Sequence, residues 1–492
     1  MFVRILLILS LLSFSLVGCG GSKKDDSTMN FLLLYLFFQS QSKSDYTVSG
    51  SVKYEFVNYQ TGSGLNWTSP SKTEKPCRQI LVEVVSGSSV IASGNTDDSG
   101  NYSIPVSIKA GSTVFVRAVS RVMANTKNSN FKSSDSNNVL FEVLDNYYAK
   151  AVHSSSSSSF ELKNSTVTVN MVIPAEQATS RSSTVNKAGA FSIVDTALSG
   201  YKKLAAADTS LTFSKLKIYW SVHNLASSSN SPSIGNISTS FYGAVSSFDT
   251  DKALYILGYA GNDTDEYDVG VIAHEFGHFT EDTIFRSDSI GGSHGGSDRL
   301  DPRLAFGEGF GNGISAIFRD DQYYRDTGGT NSASTYVNMN METTATDGGV
   351  WSETAVQAIL WDLYDSTNET NDSVTISFSD IYTAMKTYQK NTTAATTIIS
   401  FLNGLKTHLP SQATAINTLA SMNGVGTVSD DFTVADIAVG TAEPACRTNI
   451  YQTLTLGNTL TNQPLNTNPG SGSQGRNKYC ATQYYKLTGN GA

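Results

Sequence analysis

The stretch Val271-Ile-Ala-His274-Glu275-Phe-Gly-His278-Phe279 restricts this chain more than any other. It reads HExxH. On a helix, residues four apart share a face, one turn from each other. His274 and His278 can therefore hold one zinc ion between them. Glu275 is placed beside them to take a proton from a zinc-bound water. The flanking Val271, Ile272, Ala273, Phe276 and Phe279 carry no charge, as a buried active-site helix requires, and Asp265 or Asp268 can cap its N-terminus.

Two imidazoles leave a catalytic zinc short of a third protein ligand. Thirty residues after His278 lies Glu308, near the start of Leu304–Phe318, where Ile314, Ile317 and Phe318 recur at helical spacing. The plain alternative is a solvated carboxylate at a helix start. An acid framed by Gly and Phe on both sides is poorly explained that way. HExxH followed some tens of residues later by a helix-borne Glu resembles the gluzincin metallopeptidases, the thermolysin-like clan. The resemblance implies zinc as cofactor, with Glu308 as third ligand. In those enzymes an Asp four residues after the Glu orients a zinc-binding His. Asn312 stands there in this chain and can still accept a hydrogen bond from an imidazole N–H.

Other zincin classes fit less well. Metzincins would need Gly and His where Glu281 and Ile284 stand, and Asp288 lacks the turn that aspzincins place around their ligand. The resemblance also implies a His and a Tyr that stabilise the oxyanion. His294, in the loop Gly291-Gly-Ser-His-Gly-Gly296, and Tyr336 are the candidates carried forward, with Tyr323 and Tyr324 as alternatives. His294 could also be a ligand or an ordinary loop residue.

At 492 residues the chain has room for two to four domains. Its net charge of −9 excludes a nucleic-acid partner, and the abundance of Ser, Thr, Asn and Gly suits an exported protein. Residues 1–19 read as a signal peptide, with Arg4, the apolar run Ile5–Leu12 and Leu16-Val-Gly-Cys19. The last four resemble a bacterial lipobox. That implies lipidation of Cys19, a polar tether over 20–45 and a lipoprotein held to a bacterial outer membrane or cell surface. Phe31–Phe38 is apolar, but eight residues cannot span a bilayer as a helix.

Residues 46–173 read as β, with strands at Tyr46–Tyr54, Ile80–Val85, Thr113–Val119 and Val167–Val172. Asn95–Ile104 resembles the T-D-x-x-G-x-Y signature of transthyretin-like, carboxypeptidase-regulatory-type β-sandwiches, and the expected role is a spacer or accessory module. Cys77 is expected as a free or buried thiol. Residues 176–425 are the expected zincin-type metallopeptidase domain, of α+β class. Helices are predicted at Ala188–Leu204, Trp351–Tyr364, Ile381–Tyr388 and Ala394–Leu409, and strands at Leu216–Trp220 and Ala253–Gly258. Zincins have a sheet-edge strand in that place which pairs with extended substrate, and the resemblance implies the same role for the second strand. Glu353 could reach the site, although a core helix is the default reading there. The turn Gly261–Asp268 offers a calcium site as well as a simple capping turn. Residues 427–492 turn β again and resemble an incomplete pre-peptidase-type sandwich. Cys446 and Cys480 there are expected to form a disulfide worth roughly 3 kcal/mol.

The chain is thus expected to be multidomain. Its expected activity is that of a zinc-dependent peptidase acting on peptide or protein substrates. Internal cleavage is expected, because no GxMEN-like element of the aminopeptidase relatives is present. The alternative is a non-catalytic surface adhesin on a zincin scaffold.

Overall fold

The computed structural model describes residues 43–68, 71–124, 131–177, 180, 187–367, 372–432, 434–435, 450–455, 457, 459, 477–479 and 481–487. Cys19, Phe31–Phe38, Cys446 and Cys480 lie outside these residues. Cys77 is a buried free thiol.

The N-terminal region comprises β1 (Lys43–Val57), β2 (Lys72–Pro76), β3 (Ile80–Ser86), β4 (Ser89–Asn95), β5 (Asn101–Lys109), β6 (Thr113–Met123), β7 (Val139–Asp145), β8 (Thr166–Thr168) and β9 (Met171–Ile173). Alternation along β1 buries Tyr46, Val48, Val52, Tyr54 and Phe56. β1 pairs antiparallel with β5 along its first half and with β2 along its second, and parallel with β8 and β9. The turn into β5 follows from its residues. Asp97 accepts from the N–H groups of Ser99 and Asn101, and Gly100 has φ +79°. Tyr102 packs back into the core and donates to the Val169 carbonyl at 2.7 Å.

After α1 (Lys187–Ala207) come β10 (Leu216–Trp220), β11 (Phe241–Val245) and β12 (Asp249–Ile256). These join the earlier strands in one sheet, along the path β11-β12-β10-β7-β6-β3-β4. The sheet crosses the boundary expected at 173–176, because β7 pairs in parallel with β10 (Val143 opposite Ile218). α1 ties the two parts together. Its Asp195 takes Arg78 and Tyr54 from the N-terminal strands, while Gly200 on the same helix lies against Phe276.

One expectation is corrected. The strand before the HExxH helix, β12, is not an edge: it pairs with β10 on one side and β11 on the other. The edge is β11. Gly243 and Ala244 weaken its strand signal, so only its more apolar neighbour stands out in the sequence.

The longer elements that follow are α2 (Val269–Thr283), α3 (Pro302–Arg319), the hairpin β13 (Tyr323–Gly328) and β14 (Ser334–Asn340), α4 (Glu353–Tyr364), α5 (Phe378–Thr383), α6 (Ile398–His408) and α7 (Ala413–Met422). α3 starts on Asp301, which accepts from Arg303 N, with Pro302 in the first turn. α4 starts on Ser352, which accepts from Ala355 N. Asp268 stands at the N-cap of α2, but its side chain does not cap the helix. It accepts instead from Thr327 N and Oγ1, at 2.9 and 2.8 Å. The molecule is mixed α/β, and one apolar core runs from β1 through α1 to α7. Among the described residues no helix is long and apolar enough to cross a membrane.

Candidate active site and metal centre

Three helices meet at the HExxH face, and glycines let them approach. A Cβ at Gly311 of α3 would stand 2.7 Å from the His274 ring, and one at Gly277 of α2 would stand 2.7 Å from Ile314. A Cβ at Gly309 would lie 2.5 Å from the Glu353 carbonyl at the start of α4. The Gly-x-Gly-x-Gly run of α3 is therefore a packing requirement.

In this setting one oxygen of Glu308 lies 3.4 Å from His274 Nε2 and 3.6 Å from His278 Nε2. Ligand atoms of the three residues all fall within 4.8 Å of one another. His274 Nδ1 donates to Asn312 Oδ1 at 2.8 Å, which leaves its Nε2 facing Glu308. Asn312 is held in turn, donating to Gln357 Oε1 at 2.9 Å. Glu281 lies 4.0 Å from His278 Nδ1 on the opposite side. Two imidazoles and a carboxylate converging on one point, with the far nitrogen of His274 hydrogen-bonded to Asn312, fit a zinc ion.

Glu275 is buried beside this group. Burial raises its carboxyl pKa, the neighbouring imidazoles pull it back, and the net shift is upward. The backbone N–H of Tyr242, on edge strand β11, also favours the charged form of this carboxylate. Burial alone would lower the His278 pKa. Glu308 outweighs burial and brings the imidazole to about 10. Glu308 itself is raised by burial but held well below the usual carboxylate range by His278 and His274.

His294 is brought to the same place. Its Nε2 lies 3.6 Å from Glu308 and 3.4 Å from Glu353, and its Nδ1 meets the Gly292 carbonyl at 3.0 Å. Glu353 is thus a site residue as well as a core one. It is buried, burial raises its carboxyl pKa, and its Oε2 has no hydrogen-bond partner among the described residues. Tyr336 does not join them. Its ring lies over Gly328 and it is 58% exposed, because it points outward from β14. Tyr324, one strand away, is half-buried with its ring 6.0 Å from His274. Tyr323 is half-buried, and its carbonyl accepts from Arg319. His408 bonds to Asp380 at 2.9 Å. Gln357 and Glu281 carry no motif in the sequence that marks them for this site, and Glu353 stands on a helix that reads first as core. The i, i+4 spacing of Glu353 and Gln357 on one helix was the available signal.

A second acidic group lies at the N-terminal end of α2. Carboxylate oxygens of Asp263, Asp265 and Asp326 fall within 4.8 Å of one another. Asp265 is 3% exposed, and one buried oxygen each of Asp263 and Asp265 has no hydrogen-bond partner among the described residues. Burial lifts these carboxyls, Asp263 to about 7 and Asp326 to about 6. Asp326 comes from β13, far from the turn in sequence.

Comparison with known proteins places part of this architecture. The family model of the Mycolysin C-terminal domain matches residues 243–420, a span that includes HExxH, Glu308, Asn312 and Glu353. That domain is found in thermolysin-family peptidases, and Mycolysin-family peptidases are zinc-dependent. No curated protein matches the chain. A 9R-lipoxygenase from Cyanothece is 9% identical over 84% of this chain and 72% of its own, with a TM-score of 0.17, too low to bear on fold or chemistry.

Proposed function

We propose that this protein is a zinc metallopeptidase that cuts internal peptide bonds. The observation that carries the reading is the convergence of His274, His278 and Glu308 from two helices, with Glu275 buried alongside. When bound there, zinc would polarise the scissile carbonyl and acidify a water. Glu275 then takes the proton of the attacking water and returns it to the leaving nitrogen; its upward-shifted carboxyl suits both transfers. His294 supplies a donor to the developing oxyanion. Among the described residues nothing pairs with the outer edge of β11, so extended substrate adds there as a further strand, beside Glu275. Residues 176–425 act as the zincin domain in this reading, and 46–173 as an accessory sandwich.

The test is metal analysis of the purified protein together with a peptide-library digest. About one zinc per chain is expected, lost in His274→Ala and His278→Ala, with cuts inside the peptides. Wild-type protein that takes up no zinc at micromolar concentration sinks the reading.

Calcium belongs to the same proposal, at Asp263, Asp265 and Asp326. Hard oxygen donors with unpartnered buried atoms suit that ion. Added calcium should raise the melting temperature of wild type and leave Asp326→Asn unmoved; equal responses would remove the site. The anchor is proposed at Cys19, on its lipobox resemblance. Cys19→Ser should shift the protein from the detergent phase to the aqueous phase, and unchanged partitioning would refute the anchor.

A further inference from the structure

His294 sits on a loop with little hold of its own. Four of the six residues Gly291–Gly296 are glycine, and Gly291 and Gly292 have φ of +59° and +105°. Such a segment loses much conformational entropy when fixed. What fixes it comes from near the other end of the chain. Asn477 Nδ2 donates to the carbonyls of Gly291 and Ser293, at 3.4 and 3.1 Å. A Cβ at Gly292 would come within 2.9 Å of that same nitrogen. Between the two carbonyls Asn477 holds lies that of Gly292, which engages His294 Nδ1. Lys478 is buried and bonds to Asp298 at 2.6 Å, while Asp298 accepts from Gly295 N at 2.9 Å. The loop is thus gripped on both sides of His294.

The same residues also reach the starts of two active-site helices. The Asn477 carbonyl accepts from Asp301 N, and the Tyr484 hydroxyl bonds to the Asp301 carboxylate that caps α3, the helix of Glu308. Tyr479 packs on Trp351, two residues before Glu353, with ring centroids 4.9 Å apart.

We propose that Asn477, Lys478, Tyr479 and Tyr484 form a positioning strap, and that Asn477 sets the His294 ring between Glu308 and Glu353. This rests on the peptidase reading above for its catalytic consequence, but not for its structural one. The strap residues touch no reacting atom. They act through His294, which keeps its Nε2 in the site only while the Gly292 carbonyl stays in place.

The test uses the full-length zinc-loaded protein. In Asn477→Ala, amide exchange over 289–298 should speed up about 10-fold while 269–283 stays unchanged. Peptide cleavage should lose about 10-fold in kcat, with KM and zinc content within about twofold of wild type. In a His294→Ala background the same substitution should cost nothing further, since the two act in one chain. Lys478→Met, which leaves Asp298 without its partner, should speed the same loop amides. Unchanged exchange over 289–298 in both variants overturns the strap. A kcat loss that is equal with and without His294 overturns the route through His294. If wild type cleaves nothing, the peptidase reading falls and loop exchange still decides the strap.

Discussion

At the scale of single residues, the site sets two carboxylates in different surroundings, and the proposed mechanism gives them different tasks. Glu308 faces both imidazoles, whereas Glu275 is buried beside them. Glu275→Gln should keep zinc and fold but cut peptide hydrolysis by roughly 100-fold or more, as loss of a general base does. Glu308→Ala should weaken zinc binding itself, because two protein donors remain. Asn312→Ala should fall between, with a loss of about 10- to 100-fold, since Asn312 only orients His274. Zinc content and cleavage measured in parallel separate the three. Full zinc affinity in Glu308→Ala would hand the third position to His294, the other imidazole at that oxygen. HExxH and Glu308 were legible because helical spacing and local composition mark them. Glu353 was harder to see, because a carboxylate on an apolar helix reads the same whether it faces a core or a cleft.

At the scale of elements, helix packing decides whether the ligands meet. Gly311→Ala is the sharpest probe. Alanine gains about 1 kcal/mol of helix propensity over glycine. Against that, the new methyl stands 2.7 Å from the His274 ring, and overpacking a buried contact costs about 1–3 kcal/mol. The ring or the helix must shift, so a thermal melt should show little change or a modest loss while zinc affinity falls at least about 10-fold. Wild-type zinc affinity in Gly311→Ala would show that the close approach does not position His274. The glycine run was visible in the sequence, but its meaning was not, since the partner atoms belong to α2 and α4.

At the scale of the whole molecule, one sheet joins both halves of the chain, and its last hairpin is fastened by Asp249. Lys217 and Tyr219 bond to that carboxylate at 2.8 and 2.6 Å. Burial alone would raise its pKa; those bonds outweigh burial and hold it at about 2. A carboxyl lowered on folding stabilises the protein above its unfolded pKa near 4, and that contribution drains away as pH falls from about 4 to 2. Asp249→Asn should therefore cost about 1–2 kcal/mol at pH 7 and little at pH 2, read from denaturant melts at both values. An equal cost at both pH values would trace the loss to packing rather than charge.

The sequence by itself determined the local chemistry: the HExxH helix, the Glu308 helix with Asn312 one turn on, the Asp97–Gly100 turn and the alternation of β1. Each depends on residues within about a turn or a strand of one another, where spacing alone sets which side chains share a face. Only the tertiary structure decided that β11 and not β12 is the edge, that Tyr336 points away while Tyr324 turns inward, that Asp326 joins the acidic turn, and that Asn477 holds the His294 loop. Those outcomes join residues far apart in the chain. No periodicity records such meetings, because they arise from packing whole elements against each other.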